Sequence, residues 1–342
     1  MKLRTDLQIS KAAFSLEAGD GILLLGSCFS DEVGRKLQDN RFNCICNPFG
    51  VLYNPLSILN CLKIITDTIK NGGNPDKDVI NSRLFKSNGV WYSWLHSTNF
   101  FAFEKQELEA NIAKSLRQTA GTLKSAKLLI ITFGTNRVYF RNTADEKFAV
   151  ANCHKQPAAD FKTLDLGIDE IISAYCQTLE QLFALNPKLN VVFTVSPYRY
   201  IKYGLHGSNL GKAVLMLAVD GIVNRFPDKC GYFPSFEIMN DELRDYRFYA
   251  EDMVHPSKQA VDYIYEKFAE YAFSAKAMGF AKQWSAVAKI LLHKPQFPQS
   301  RQYMALMVSA KEKIAQLEKE YPQVRFDKDL EKINEILTQT QS

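Results

Sequence analysis

The chain has 342 residues, 46% of them hydrophobic and 23% charged, with a formal net charge of +5. These are the proportions of a globular protein large enough for one extended domain or two. No stretch approaches the about 20 apolar residues that a bilayer-spanning helix needs, MKLRTDLQISKAAF has no secretory h-region, and the seven scattered cysteines argue for reduced thiols; a cytoplasmic, non-membrane protein is expected. The positive charge is spread rather than clustered with aromatics, so no nucleic-acid partner is expected. Cys44-Ile45-Cys46 lacks both the spacing and the second pair of a structural zinc site, and no metal or cofactor is expected.

Gly21 to Gly34, GILLLGSCFSDEVG, opens the regular structure. Ile22 to Leu25 reads as a central strand buried on both faces, Gly26 ends it, Ser27, Cys28 and Ser30 occupy the turn, and Asp31-Glu32 suit the positive end of a following helix. A hydroxyl or thiol there stands at the carboxyl end of a strand, where open α/β sheets place ligands; the alternative is that these small residues serve only the turn and the N-cap. Arg41 to Cys46 reads as a second strand closed by Asn47-Pro48-Phe49-Gly50, and Asn54-Pro55 starts a helix that runs to about Lys70. Arg83 to Phe103, rich in aromatics and without helical period, reads as a β-like insertion or substrate-side flap. Glu107 to Ala120 is helical, Ala126 to Phe133 is a second continuous apolar strand ending in Gly134-Thr135-Asn136, and Arg137 to Asn152 is a hairpin with Asn142-Thr143-Ala144-Asp145 at its tip. A helix over Gly167 to Leu185, a strand over Asn190 to Val195, a helix over Ser208 to Phe226 and a weaker fifth strand over Gly231 to Ile238 follow. This alternation predicts βαβ units and a mostly parallel sheet with right-handed crossovers. From Ser257 onward the pattern is almost wholly helical, broken at Lys294 to Pro298 and at Pro322, with frayed residues at Thr338 to Ser342.

The second informative stretch is Tyr249 to Ser257, YAEDMVHPS, where Asp252 and His255 lie three apart just before a helix. One loop then supplies an imidazole base and the carboxylate that orients it, with Nδ1 toward the Asp and Nε2 toward a nucleophile. Cys153-His154 brings a second thiol and imidazole, but neighbours in an extended chain point opposite ways, so the two are not expected to act as a pair.

The chain resembles the GSCFA family, whose motif reads Gly26-Ser27-Cys28-Phe29-Ser30 here, and which is grouped with the SGNH/GDSL hydrolases. The resemblance rests also on NPFGVLYNP (Asn47 to Pro55), FGTNRVY (Phe133 to Tyr139), NCHK (Asn152 to Lys155), TVSPYR (Thr194 to Arg199) and DELRDYRFYAEDMVHPS (Asp241 to Ser257). It implies a flavodoxin-like three-layer α/β/α domain over residues 1–270, with a five-stranded, mostly parallel sheet and insertions near 83–103 and 137–155, followed by a helical extension over 271–342. It further implies hydrolysis of an acyl ester, on a small molecule or glycan, by nucleophile, His255 and Asp252. Register against the wider group's strand-GDS pattern puts Cys28 at the nucleophile, with Ser27 next door as the other candidate. A thiol at a helix N-terminus beside a protonated imidazole is expected to have a lowered pKa. Asn136 and the Gly50 backbone are the implied oxyanion donors, and Arg137 stands where the wider group has Asp. Asn54, Arg137, His154 and Ser196 are candidate substrate contacts, and Arg137 and Arg199 are candidates to meet an anionic group. The alternatives are an acyltransferase, or a non-catalytic binding protein that keeps the fold and uses its C-terminal helices for a protein partner or self-association.

Overall fold

The computed structural model describes residues 5–142 and 147–338; Thr143, Ala144 and Asp145 of the expected hairpin tip and the expected frayed residues beyond Thr338 lie outside the described residues. Strand β1 (Gly21–Gly26) turns directly into helix α1 (Cys28–Asp39), then come β2 (Asn43–Cys46), α2 (Pro55–Lys70) and the short α3 (Lys77–Asn81). The aromatic-rich insertion is a small antiparallel sheet, β3 (Leu84–Ser87), β4 (Val90–Ser93) and β5 (Phe101–Ala102). Helix α4 (Lys105–Ser125) leads to β6 (Leu128–Phe133), and a second antiparallel sheet follows, β7 (Arg137–Asn142), β8 (Lys147–Val150) and β9 (Phe161–Asp165), with β7 in the middle. The chain continues through α5 (Ile168–Leu185), β10 (Asn190–Val195), α6 (Gly204–Arg225) and β11 (Cys230–Tyr232). A helical turn α7 (Ser235–Glu237) is followed by α8 (Lys258–Ala272), α9 (Ala275–Leu292), α10 (Arg301–Glu320) and α11 (Asp327–Thr338).

The main sheet has the order β2-β1-β6-β10-β11 with every neighbouring pair parallel. Numbered as main-sheet strands this is 2-1-3-4-5, the flavodoxin-like doubly wound order. Its central strands are apolar without alternation because each face buries its own residues. Leu23, Leu25, Leu129, Ile131, Val191 and Phe193 pack into one core with α2, α4, α5 and α6, while Ile22, Leu24, Leu128, Ile130 and Val192 pack into the other with α1 and α8. The order reverses between β1 and β6, so the loops leaving their carboxyl ends diverge and open a crevice.

The fifth strand and helix α6 differ from the sequence reading. The fifth strand stops at Tyr232: Phe233 still donates to the Phe193 carbonyl, but Pro234 has no N–H to continue the ladder, and Ser235 to Glu242 is helical, anchored by Ser235 Oγ to the Val195 carbonyl (2.9 Å). Helix α6 begins at Gly204 rather than Ser208. Helices α9 to α11 bury Phe280, Trp284, Met307, Ile314, Tyr321 and Phe326 in a cluster of their own. Trp284 Nε1 donates to the Asp39 carbonyl at the end of α1 (2.7 Å), and Arg41 lies over the Trp284 ring while pairing with Asp329.

Candidate functional site

The turn after β1 is shaped by backbone constraint. Gly26 has φ +148°, and a Cβ there would come within 2.3 Å of the Thr132 carbonyl oxygen, so the corner between β1 and α1 admits only glycine. Asn47, itself at φ +44°, accepts from the Gly26 N–H (2.8 Å) and donates to Asp31 (2.6 Å), tying the β1–α1 corner to the loop after β2. Ser27 is fully buried, and among the described residues its Oγ makes no hydrogen bond, neither the N-cap bond nor any other. Cys28 is the first residue of α1. Burial pushes its thiol up to about 11, the nearby Asp31 carboxylate adds to the rise, and the Phe29 N–H and Lys212 ammonium draw it back less strongly. The expected lowering therefore does not occur: desolvation outweighs the helix terminus, and the resting sulfur is a thiol.

Lys212, which the sequence reading missed, lies on the buried face of α6 with 2% of its surface exposed. Its Nζ donates to the carbonyls of Gly134 (2.7 Å) and Ser196 (2.6 Å), at the carboxyl ends of β6 and β10, and stands 5.1 Å from the Tyr200 ring centre. Burial lowers it to about 7, and the charge of Cys28 opposes that fall. The signal was present in the sequence: Ser208, Gly211, Lys212, Leu215, Ala218, Val219 and Ile222 follow one helical stripe, and a lysine on such a stripe is out of place unless something holds it.

The Tyr198-Arg199-Tyr200 strap passes over this corner. The Tyr200 hydroxyl takes the space that a side chain at Gly134 would fill and is buried without a hydrogen-bond partner among the described residues, and Tyr53, Tyr198 and Tyr200 all lie within electrostatic range of Cys28. Asp252 and His255 are joined as expected, Nδ1 to Oδ2 at 2.5 Å, and Asp252 Oδ1 also accepts from the N–H groups of Val254 (3.0 Å) and His255 (2.9 Å). The two backbone bonds and the imidazole hold Asp252 down at about 2. The pair is about half exposed, leaving Nε2 unhindered by protein hydrogen bonds, and the His255 ring packs on Tyr198 with centres 4.3 Å apart. No hydrogen bond joins His255 to Cys28 or Ser27 among the described residues. Tyr198, sensitive to both Cys28 and Asp252, stands within electrostatic range of both the thiol and the carboxylate–imidazole pair.

The remaining candidates are distributed as follows. A cleft of about 350 Å³ beside the strap is lined by Tyr53, Asn54, Thr135, Arg137, Cys153 and Tyr198, among others. Asn54 caps α2 by accepting from Ser57 N–H (2.8 Å), and Ser196 is buried with its Oγ accepting from Tyr198 N–H (3.3 Å). Arg137 is forked onto Asp165, with both bonds at 2.7 Å. Asn136 gives one amide hydrogen to the Leu166 carbonyl (3.1 Å), which leaves one, and the Gly50 N–H is taken by the Asn47 carbonyl (2.7 Å). His154 is turned away from Cys153 into an aromatic box of Phe85, Tyr92 and Trp94, donating Nε2–H to the Ser93 carbonyl (3.0 Å), and burial lowers it to about 4.

A doubly wound parallel sheet that gathers a thiol, a buried lysine and a carboxylate–imidazole pair at the carboxyl edge of its strands defines an α/β protein with its candidate chemistry at the switch point. Residues 21–268 match the GSCFA family, and residues 284–339 match the GSCFA domain protein, C-terminal domain; the chain belongs to the GSCFA family. No curated protein matches it. No helix among the described residues is long and apolar enough to cross a membrane.

Proposed function

We propose that the protein is an acyl-ester hydrolase in which Cys28 is the nucleophile and the Asp252–His255 pair the acid–base group. The observation that carries this reading is the pair itself. A carboxylate fixed by two backbone N–H groups holds Nδ1 of the imidazole and leaves Nε2 available, at the sheet edge where Cys28 opens α1. Because burial keeps Cys28 protonated, the thiol needs that base. Its proton passes to His255 Nε2 as sulfur bonds to the acyl carbon, and the alcohol leaves with that proton, giving a thioester. Water then attacks the thioester, His255 takes its proton and returns it to the sulfur, and the acid is released. The thiol–imidazole hydrogen bond, not formed in the free protein, forms in the substrate complex, since catalytic hydrogen bonds are often long or misaligned without substrate. Lys212 places a positive charge beside the developing thiolate, and the remaining amide hydrogen of Asn136 is the side-chain donor for the oxyanion. The aromatic cleft of about 350 Å³ receives the acyl ester of a small molecule or glycan.

The test is turnover of p-nitrophenyl acyl esters. Cys28→Ala and His255→Ala lower kcat/KM by 10²-fold or more, on the scale of a lost nucleophile or base, whereas Ser27→Ala stays near wild type. If neither Cys28→Ala nor His255→Ala changes the rate, the reading fails.

A further inference from the structure

The strap that covers the nucleophile corner separates two clefts by alternation. Tyr198 and Tyr200 line the first, beside Cys28, whereas Arg199 lines a second of about 400 Å³ together with Ser208, Asn209, Asn240, Arg244, Asp245, Tyr246 and Tyr249. Of the two arginines the sequence marked for an anionic group, Arg137 is already saturated by Asp165, but Arg199 is not. Its guanidinium donates to the Tyr246 hydroxyl (3.4 Å) and lies over the rings of Tyr246 and Tyr249, 5.6 and 5.3 Å from their centres. Arg244 is exposed, and neither arginine has a carboxylate partner among the described residues. The one acid in the lining, Asp245, accepts from the Arg247 N–H (2.9 Å) and faces the Arg247 guanidinium (3.6 Å), so its charge is offset by a residue that does not line the cleft. Two unneutralised planar forks across a cavity of this size match the geometry of a phosphate or carboxylate. The first turns of α6, which contribute Leu205, Ser208 and Asn209 to the wall, add the positive end of a helix dipole.

We propose that this second cleft binds the oxyanion of a small molecule, a phosphate or carboxylate held between Arg199 and Arg244 with Asn209 alongside. The cleft touches the loop that carries the Asp252–His255 pair: the Arg199 N–H donates to the Val254 carbonyl (3.2 Å), and Tyr246 and Tyr249 belong to the same loop region. Its role as a handle that brings the substrate to the pair rests on the proposed hydrolysis; its role as a binding site does not.

The experiment is titration of the full chain with inorganic phosphate and, separately, with acetate, at constant ionic strength, followed by calorimetry or amide chemical shifts. Saturable binding at one site is expected, with the tighter of the two anions assigning the group. Arg244→Gln, which removes no hydrogen bond, ion pair or ring contact among the described residues, weakens binding about tenfold or more, and Arg199→Gln/Arg244→Gln abolishes it. Arg117→Gln, on exposed α4 surface, leaves it unchanged. Absence of saturable binding of both anions by the wild type, or equal affinity in wild type and Arg244→Gln, overturns the proposal. Cys28→Ala separates the two readings, since it removes turnover on the proposed mechanism and leaves anion binding intact.

Discussion

An ammonium buried to 2% exposure, hydrogen-bonded to two carbonyls and set over the Tyr200 and Phe236 rings, is a costly group to place in a core, and Lys212 occupies that position where the carboxyl ends of β6 and β10 meet near Cys28. A pKa drawn down to about 7 makes its charge sensitive to what approaches, and a thiolate is the partner that most favours the charged form. For Cys28 itself, a value of about 11 means roughly one thiolate in 10⁴ at neutral pH. Alkylation of Cys28 by iodoacetamide, mapped by mass spectrometry, is therefore slow at pH 7 and rises about tenfold per pH unit up to about 11. Lys212→Met slows it further at each pH because the nearby cation is gone, and Lys212→Arg retains most of the rate; faster labelling in the methionine variant would contradict the pairing. The Asp252–His255 contact and the β1–α1 turn at Cys28 were legible because Asp-x-x-His and strand-Gly-small-helix are local patterns. Lys212 stood out only as a lysine on an apolar helical stripe, because its partners are strand ends 78 residues away in sequence at Gly134 and 16 away at Ser196.

At the scale of elements, the parallel strands were readable from their unbroken apolar runs, and the Asn190–Val195 strand falls on the predicted residues. What was not readable depended on partners distant in the chain. β9 is largely exposed polar sequence, FKTLD, whose strand character comes from pairing with β7, and the fifth strand was cut short by Pro234. The corner between β1 and α1 makes the sharpest prediction here. Gly26→Ala forces a Cβ to 2.3 Å from the Thr132 carbonyl at a φ that side chains rarely adopt. It destabilises the fold by about 1 to 3 kcal/mol from backbone strain alone, with the clash in addition, and urea unfolding of the variant measures it. A midpoint equal to wild type would show that the corner relaxes freely.

Across the whole molecule, two buried imidazoles, His96 in the first insertion and His154 at the end of the second, contribute acid sensitivity. Burial pushes His96 down to about 3 and His154 to about 4, so both are neutral in the folded chain, while an unfolded chain protonates near pH 6.5. As pH falls below 6.5 the unfolded state binds protons first; stability that is full above 6.5 is lost progressively toward 4 and then 3. At 1.36 kcal/mol per unit, His154 alone accounts for about 3 kcal/mol of this loss. Urea midpoints measured between pH 7 and 4.5 fall accordingly, and His154→Gln flattens the slope; a pH-independent wild-type midpoint would remove the imidazoles as the cause. The placement of the tryptophans has an optical consequence. Trp91 and Trp94 sit in the insertion, with Trp91 packed against the core that backs one face of the main sheet, and Trp284 sits in the C-terminal cluster; the chain has three tryptophans in all. Trp94 stacks on Phe85 at 3.7 Å under the Arg141 guanidinium, and Trp284 lies beneath Arg41, which gives the fluorophores environments that differ in quenching from water. Intrinsic fluorescence therefore weights the insertion and the C-terminal cluster while circular dichroism follows the sheet and its helices, and the offset between the two unfolding curves measures how tightly those parts are coupled to the main sheet.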